Sequence, residues 1–215
     1  MGRVAWVAAV AAASLCGAVS AHAAVVVHPR ADVLVLRGAP GGAVVARLGR
    51  RTEFGSPLRL AVAARQGRWL GVVTPLLPNG RLGWIDARSV RRASLSLHLV
   101  VSLRTQRLLV LRGRTVLARI PVGIGAPGSP TPIGSFAVTD KLPGARFSTV
   151  YGCCILALSG HQPRPPAGWE GSDTRLAIHG GPPGAVSSGC LHATTATLRF
   201  LMAHVPLGAR VTIRR

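Results

Sequence analysis

The chain has 215 residues, 48% of them hydrophobic and 15% charged, which excludes a disordered polymer and suffices for one sizeable domain or a small one plus a medium one. Its formal charge is +20, from 26 Lys+Arg against 6 Asp+Glu, with Lys141 the only lysine. Such a field favours anionic partners, yet the arginines are scattered and lack an aromatic-basic stacking platform, so nucleic acid is not the expected ligand.

The start of the chain reads as an address. Arg3 makes a short basic region, Val4 to Val19 an apolar one, and Ala21-His22-Ala23 an A-x-A cleavage site. Residues 1–23 are therefore read as a secretory signal peptide, too short to span a bilayer and ending in small residues. Leu15 before Cys16 does not suit a lipoprotein signal, and no second apolar stretch is long enough to span. The mature chain is expected to be exported to the periplasm or cell wall. It then keeps Cys153, Cys154 and Cys190, an odd number, so at least one thiol stays free in an oxidising compartment.

Residues 25–93 form a first unit of short apolar runs separated by Gly- and Pro-rich turns. The stretch from Arg68 to Val90 reads as a hairpin turning at Pro78-Asn79-Gly80, with Trp69 and Trp84 expected in its core. Its W-x-x-V…G-W-I pattern resembles a bacterial SH3-like barrel; a β-rich spacer without a binding role is the alternative. Residues 94–215 form a second unit. Alternating stretches at Leu97 to Leu103, Leu108 to Leu111 and Val116 to Ile124 give a meander. Strands follow at Ser135 to Thr139, Ile155 to Leu158, Arg175 to His179 and Ala209 to Ile213. One helix is expected, capped by Thr194 or Thr195 and spacing Leu198, Leu201 and Met202, stopped before Pro206. The chain is mainly β, the second unit mostly antiparallel.

Chemistry concentrates in RLAIHGGPPGAVSSGCLHATTATLRF. A strand delivers His179 into a Gly/Pro loop that returns to Ser188-Gly189-Cys190 just ahead of the helix. A free thiol is only a few per cent ionised at neutral pH, so an adjacent imidazole must take its proton. The positive end of a helix is expected to favour the thiolate, and the N–H groups of Gly189 and Cys190 to form an oxyanion hole.

Four ordered blocks resemble the catalytic domain of the L,D-transpeptidases (the YkuD-type family). They are PVGIGAPGSPTPIGSFAVTD, the tyrosine-led YGCCILALSGH, the His-Gly pair with its S-x-G-C, and the closing PLGARVTI, together spanning about residues 97–213. The resemblance implies a mixed β-sandwich with one short helix after the cysteine. It implies that Cys190 attacks the diamino-acid carbonyl of a peptidoglycan stem tetrapeptide, expelling D-alanine. His179 would serve as base and then acid, oriented by the carbonyl of Gly180. An amine of a second stem would resolve the thioester as a 3→3 cross-link. Candidate substrate contacts are His192, Tyr151 (stacking on the substrate or merely packing), His161 (lining the cleft or only stabilising its strand), and Thr131 and Pro132, whose turn is expected to shape the cleft's far wall. The resemblance also implies sensitivity to carbapenem-type inhibitors, and no metal or cofactor. Anionic wall polymers are a further expected partner.

Two positions depart from the family. Ser188 stands where histidine is usual and is read as a hydrogen-bond donor near the sulfur. His192 stands where arginine commonly forks onto a carboxylate, which an imidazole does not do in the same way. Alternatives are a wall-binding protein of this fold with impaired catalysis, and an L,D-carboxypeptidase using water as acceptor. A zinc site from the Cys and His residues is a further one, as is a Cys153–Cys154 disulfide.

Overall fold

A computed structural model describes residues 24–167, 173–184 and 186–215; the segment read as a signal peptide lies outside them. The chain is mainly β with one α-helix, arranged as two large sheets.

The first sheet holds β1 (Ala24–Pro29), β2 (Leu34–Arg37), β3 (Val44–Leu48), β4 (Leu60–Gln66), β5 (Trp69–Val72), β6 (Gly83–Asp86) and β7 (Val90–Leu95). Their order is β3-β2-β6-β5-β4-β1-β7. Alternate residues of these strands meet in one aliphatic core: Val27, Leu34, Leu36, Leu70, Val72 and Ile85 are all essentially inaccessible. The hairpin β5–β6 forms as its alternation requires, with Leu70 opposite Ile85. Trp69 and Trp84 are not in that core. Each stands a residue away from Leu70 or Ile85, so the period of two turns both to the opposite face. There Trp69 carries the guanidinium of Arg68 at 5.1 Å and that of Arg37 at 5.8 Å.

The second sheet holds β8 (Leu97–Ser102), β9 (Arg107–Arg112), β10 (Thr115–Pro121), β12 (Gly134–Pro143), β13 (Cys154–His161), β14 (Arg175–Gly180), β16 (Leu191–Ala193) and β17 (Arg210–Arg214). Its order is β10-β9-β8-β17-β12-β13-β14-β16. Most pairings are antiparallel, but β17 lies parallel to β8 and β14 parallel to β16. The short β11 (Ile124–Gly125) and β15 (Val186–Ser187) form a third, parallel pair. Helix α1 (Thr195–His204) is capped by Thr194, whose hydroxyl accepts from the amide of Thr197 at 3.2 Å. It packs Leu198 and Leu201 onto the sheet, each burial worth about 2 kcal/mol.

The two sheets meet along a polar seam. Asn79 exchanges two hydrogen bonds with the backbone of His161, at 2.6 and 2.8 Å, and Arg210 donates to the carbonyl of Val62 at 3.0 Å. The turn at residues 51–56, between β3 and β4, reaches further, and the hydroxyl of Thr52 hydrogen-bonds the buried carboxylate of Asp140 on β12. Among the described residues no helix is long and apolar enough to cross a membrane.

Candidate active site

Strand β14 sets the geometry. Its residues alternate, so Arg175, Ala177 and His179 share one face. In the parallel register with β16, Ile178 stands opposite Leu191 and His179 opposite His192, which places Cys190 beside Ala177. The thiol therefore sits between the imidazole on one side and Arg175 on the other. All of them line a cleft of about 940 Å³ together with Tyr151, Ser188, Phe54 and Asp173. A smaller cavity of about 330 Å³ between the sheets, near Arg47 and Arg51, holds neither thiol nor imidazole.

The imidazole of His179 is buried, and its Nδ1 lies 2.9 Å from the carbonyl oxygen of Gly180. That carbonyl can only accept, so Nδ1 carries the proton and Nε2 keeps its lone pair. Tyr151 meets the ring edge-on at 5.0 Å, and His192 lies 4.9 Å away on its other flank. Gly180 lets the loop of Tyr151 come this close, because a Cβ there would fall 2.8 Å from the Tyr151 carbonyl oxygen. Burial holds His179 below its ordinary value; the Gly180 carbonyl works in the opposite direction, and His192 adds to the lowering. Burial likewise lowers His192, whose Nδ1 has no hydrogen-bond partner among the described residues.

Among the described residues Cys190 is the free cysteine, since Cys153 and Cys154 are joined by a disulfide. Its sulfur lies 4.0 Å from the carbonyl oxygen of Arg175. Burial pushes the thiol up to about 11; the amide of Ala177 opposes this and the charge of Asp173 adds to it. The expected thiolate at a helix end is thus not what the fold provides. Cys190 runs directly into β16, and α1 begins only at Thr195, too far along the chain for its terminal amides to face the sulfur. Burial thus works against the charged form of both groups, raising the thiol and lowering the imidazole.

The turn before Cys190 is braced from beneath. Gly189 has φ of +118°, and a Cβ on it would fall 2.0 Å from the amide nitrogen of Gln162. That buried glutamine donates to the carbonyls of Ser188 and Pro130 at 3.1 Å, while Thr131 donates to the carbonyl of Gly189 at 2.9 Å. Ser129 donates to the carbonyl of Ser188 at 3.0 Å. The amide of Gly189 donates to the hydroxyl of Ser187 at 3.0 Å and is therefore engaged, not free for an oxyanion.

The sequence-derived residues fall into two groups. Cys190, His179, Ser188, Tyr151 and His192 line the cleft, with Gly180 and Gly189 shaping it. Thr131 is buried under the turn before Cys190 rather than facing the cleft, and its neighbour Pro132 is not among the lining residues. His161 turns to the seam, its Nε2 2.7 Å from the carbonyl oxygen of Pro75 and its Nδ1 3.2 Å from the hydroxyl of Thr174, while Asn79 holds its backbone. Residues passed over in the sequence now matter: Gln162, directly after the S-x-H block, and Arg175, two alternations before His179. Phe54 comes from the other unit and had no local signal. No cluster of three side chains suited to a metal ion forms among the described residues.

Comparison with known proteins adds the lineage. The profile of the YkuD family, L,D-transpeptidase catalytic domain, matches residues 96–213. No curated protein sequence matches the chain. Among solved structures, an L,D-transpeptidase from Mycobacterium smegmatis is similar at 16% identity and a TM-score of 0.42, covering 62% of this chain and 73% of that one. L,D-transpeptidase 3 from Mycobacterium tuberculosis is similar at 17% identity and a TM-score of 0.43, covering 62% and 74%. The LD transpeptidase LdtMt1 in complex with imipenem is similar at 17% identity and a TM-score of 0.40, covering 68% and 90%. The lineage rests on the sequence match, which spans more than half of the chain.

Proposed function

The chain belongs to the YkuD family of L,D-transpeptidase catalytic domains, and from that premise we propose that it is an exported cysteine acyltransferase of peptidoglycan, with Cys190 as nucleophile and His179 as base. The observation that carries this reading is the convergence of the free thiol and a tautomerically fixed imidazole on one cleft.

The electrostatics select the route. Burial raises the Cys190 thiol to about 11 and lowers His179, so each group favours its neutral form. A standing thiolate is therefore scarce, and proton transfer accompanies attack. The Cys190 thiol gives its proton to Nε2 of His179 as sulfur bonds to the diamino-acid carbonyl carbon of a donor stem. The carbonyl electrons move to oxygen, near the amide of Cys190, since that of Gly189 is already engaged. Collapse breaks the C–N bond, the imidazolium protonates the departing amine, and D-alanine leaves. A second stem's amine then attacks the thioester, its proton passing through His179 to the released sulfur, and a 3→3 cross-link results. Removal of residues 1–23 takes away only Arg3, so the charge left, +19, still suits retention on an anionic wall.

Intact-mass measurement after exposure to imipenem tests the first half. A single adduct is expected on the wild type and none on Cys190→Ala. Incubation with purified muropeptides tests the second: cross-linked dimers support the transferase, tripeptides alone a carboxypeptidase. A folded protein that forms neither adduct nor product overturns the proposal.

A further inference from the structure

The cleft contains a cation that acyl transfer as described leaves unused. Arg175 opens β14, its side chain 11% exposed, on the side of the thiol away from His179. The chain has six acids in all, and three of them bear on this one guanidinium: Asp173, Glu53 and the buried Asp140. Their contacts differ in kind. Asp173 grips one edge, accepting from Nη2 at 2.8 Å and from Nε at 3.3 Å, and takes the backbone amide of Arg175 as well. Phe54 lies against the guanidinium face, 4.4 Å from ring centre to carbon. These two hold the group flat and aimed.

The remaining corner is the unfinished one. Nη1 is buried and has no hydrogen-bond partner among the described residues. Glu53 stands 2.6 Å from it, an ion pair by distance, but its carboxylate lies off the N–H directions. Glu53 is also 54% exposed, on a turn from the other unit, and an ion pair with so exposed a partner contributes little. The geometry is that of a carboxylate site with a loosely held occupant.

Position decides which carboxylate it would take. The departing amine must meet Nε2 of His179, so the leaving D-alanine lies on the imidazole side. The acyl half, which stays on sulfur, then extends the other way along β14, towards Arg175. We infer that Arg175 anchors a carboxylate on the acyl half of the donor stem, with Glu53 as its displaceable stand-in and Asp173 and Phe54 as positioning residues. The stem's D-glutamyl residue and the side chain of its diamino acid both offer such a group. This inference rests on the acyl-transfer reading and names the substrate chemistry of the same cleft. It also gives the turn at 51–56 a role in catalysis that neither unit has alone.

The test measures acyl-enzyme formation by intact mass with four donors: the native tetrapeptide, one amidated at the D-glutamyl carboxylate, one at the diamino-acid side chain, and one at both. Losing a charged hydrogen bond should lower kcat/KM about 10-fold or more for one singly amidated donor and for the double one, and that arm identifies the group. Arg175→Gln should lose the same factor on the native donor and no longer distinguish acid from amide, while Arg175→Lys recovers part of the preference. Glu53→Gln should lower KM for the native donor. If Arg175→Gln fails to fold, the donor series on wild type and Glu53→Gln still decides. Equal rates on all four donors with the wild type, or a preference that survives Arg175→Gln, overturns the assignment while leaving acyl transfer intact. No acylation of folded wild type by any donor overturns the acyl-transfer reading and this one with it.

Discussion

The two sheets are built from the same aliphatic residues but differ in what else they bury. The core of the first, from Val27 to Val90, is an aliphatic cluster with one buried polar residue nearby, Thr74. The second has a larger aliphatic core, yet it also buries Ser129, Thr131, Thr139, Asp140, Ser159, Gln162 and His179. A buried polar group costs stability unless it is bonded, so a fold keeps such groups where they hold something in place. Here Ser129, Thr131 and Gln162 all bond the backbone of the turn that presents Cys190. The difference teaches where to look: the site is the region whose interior is polar, bonded beneath the turn of Cys190 and left open at Arg175 Nη1 and His192 Nδ1.

Substitutions should separate the two regions. Cys190→Ala should abolish acyl-enzyme formation while leaving the melting temperature within a few degrees of wild type, and His179→Gln should slow it by about 10²–10⁴-fold, as expected for loss of a general base. A wild-type rate in either variant, followed by stopped-flow acylation, would break the assignment of the site. In the first sheet, Leu36→Ala should cost about 2–5 kcal/mol in denaturant unfolding by opening a cavity, with little change in the acylation rate of the protein that remains folded.

Between these extremes, Thr131→Val removes one donor to Gly189 and one acceptor for Gly125. It should cost about 1–3 kcal/mol per unsatisfied partner and slow acylation together with it, which would tie the buried polar layer to activity. An unchanged rate would make that layer purely structural. The smallest expected effect is a pH dependence. His179 lies below its ordinary value, so acylation should fall only as pH drops below 6.5 and stay flat through neutrality. Cys190 lies near 11, so its alkylation by iodoacetamide should keep rising as pH passes 9. A plateau by pH 7 would instead reveal a standing thiolate.

How legible was this in the chain itself? The strands were, because β8 and β9 alternate cleanly and β14 is a short continuous apolar run, and so was α1, because Thr194 precedes Leu198 and Leu201 at helical spacing. The lineage was legible too, through four motifs in order that the family profile matches over 96–213. Trp69 and Trp84 were misplaced because aromatic size suggests burial, whereas strand parity decides the face. His161 was misplaced for a different reason: its partners, Pro75 and Asn79, belong to the other unit.

What the amino-acid order determined by itself is whatever depends on near neighbours: the periodicity of strands, the helix cap, and the spacing of His179 and Cys190. What only the tertiary structure decided is the setting of those groups. Burial among distant strands pushes the thiol up, and the guanidinium of Arg175 lies flat against Phe54, which arrives from more than a hundred residues away. Burial and long-range charge arise from packing between segments, and local sequence pattern carries no record of which segments will meet.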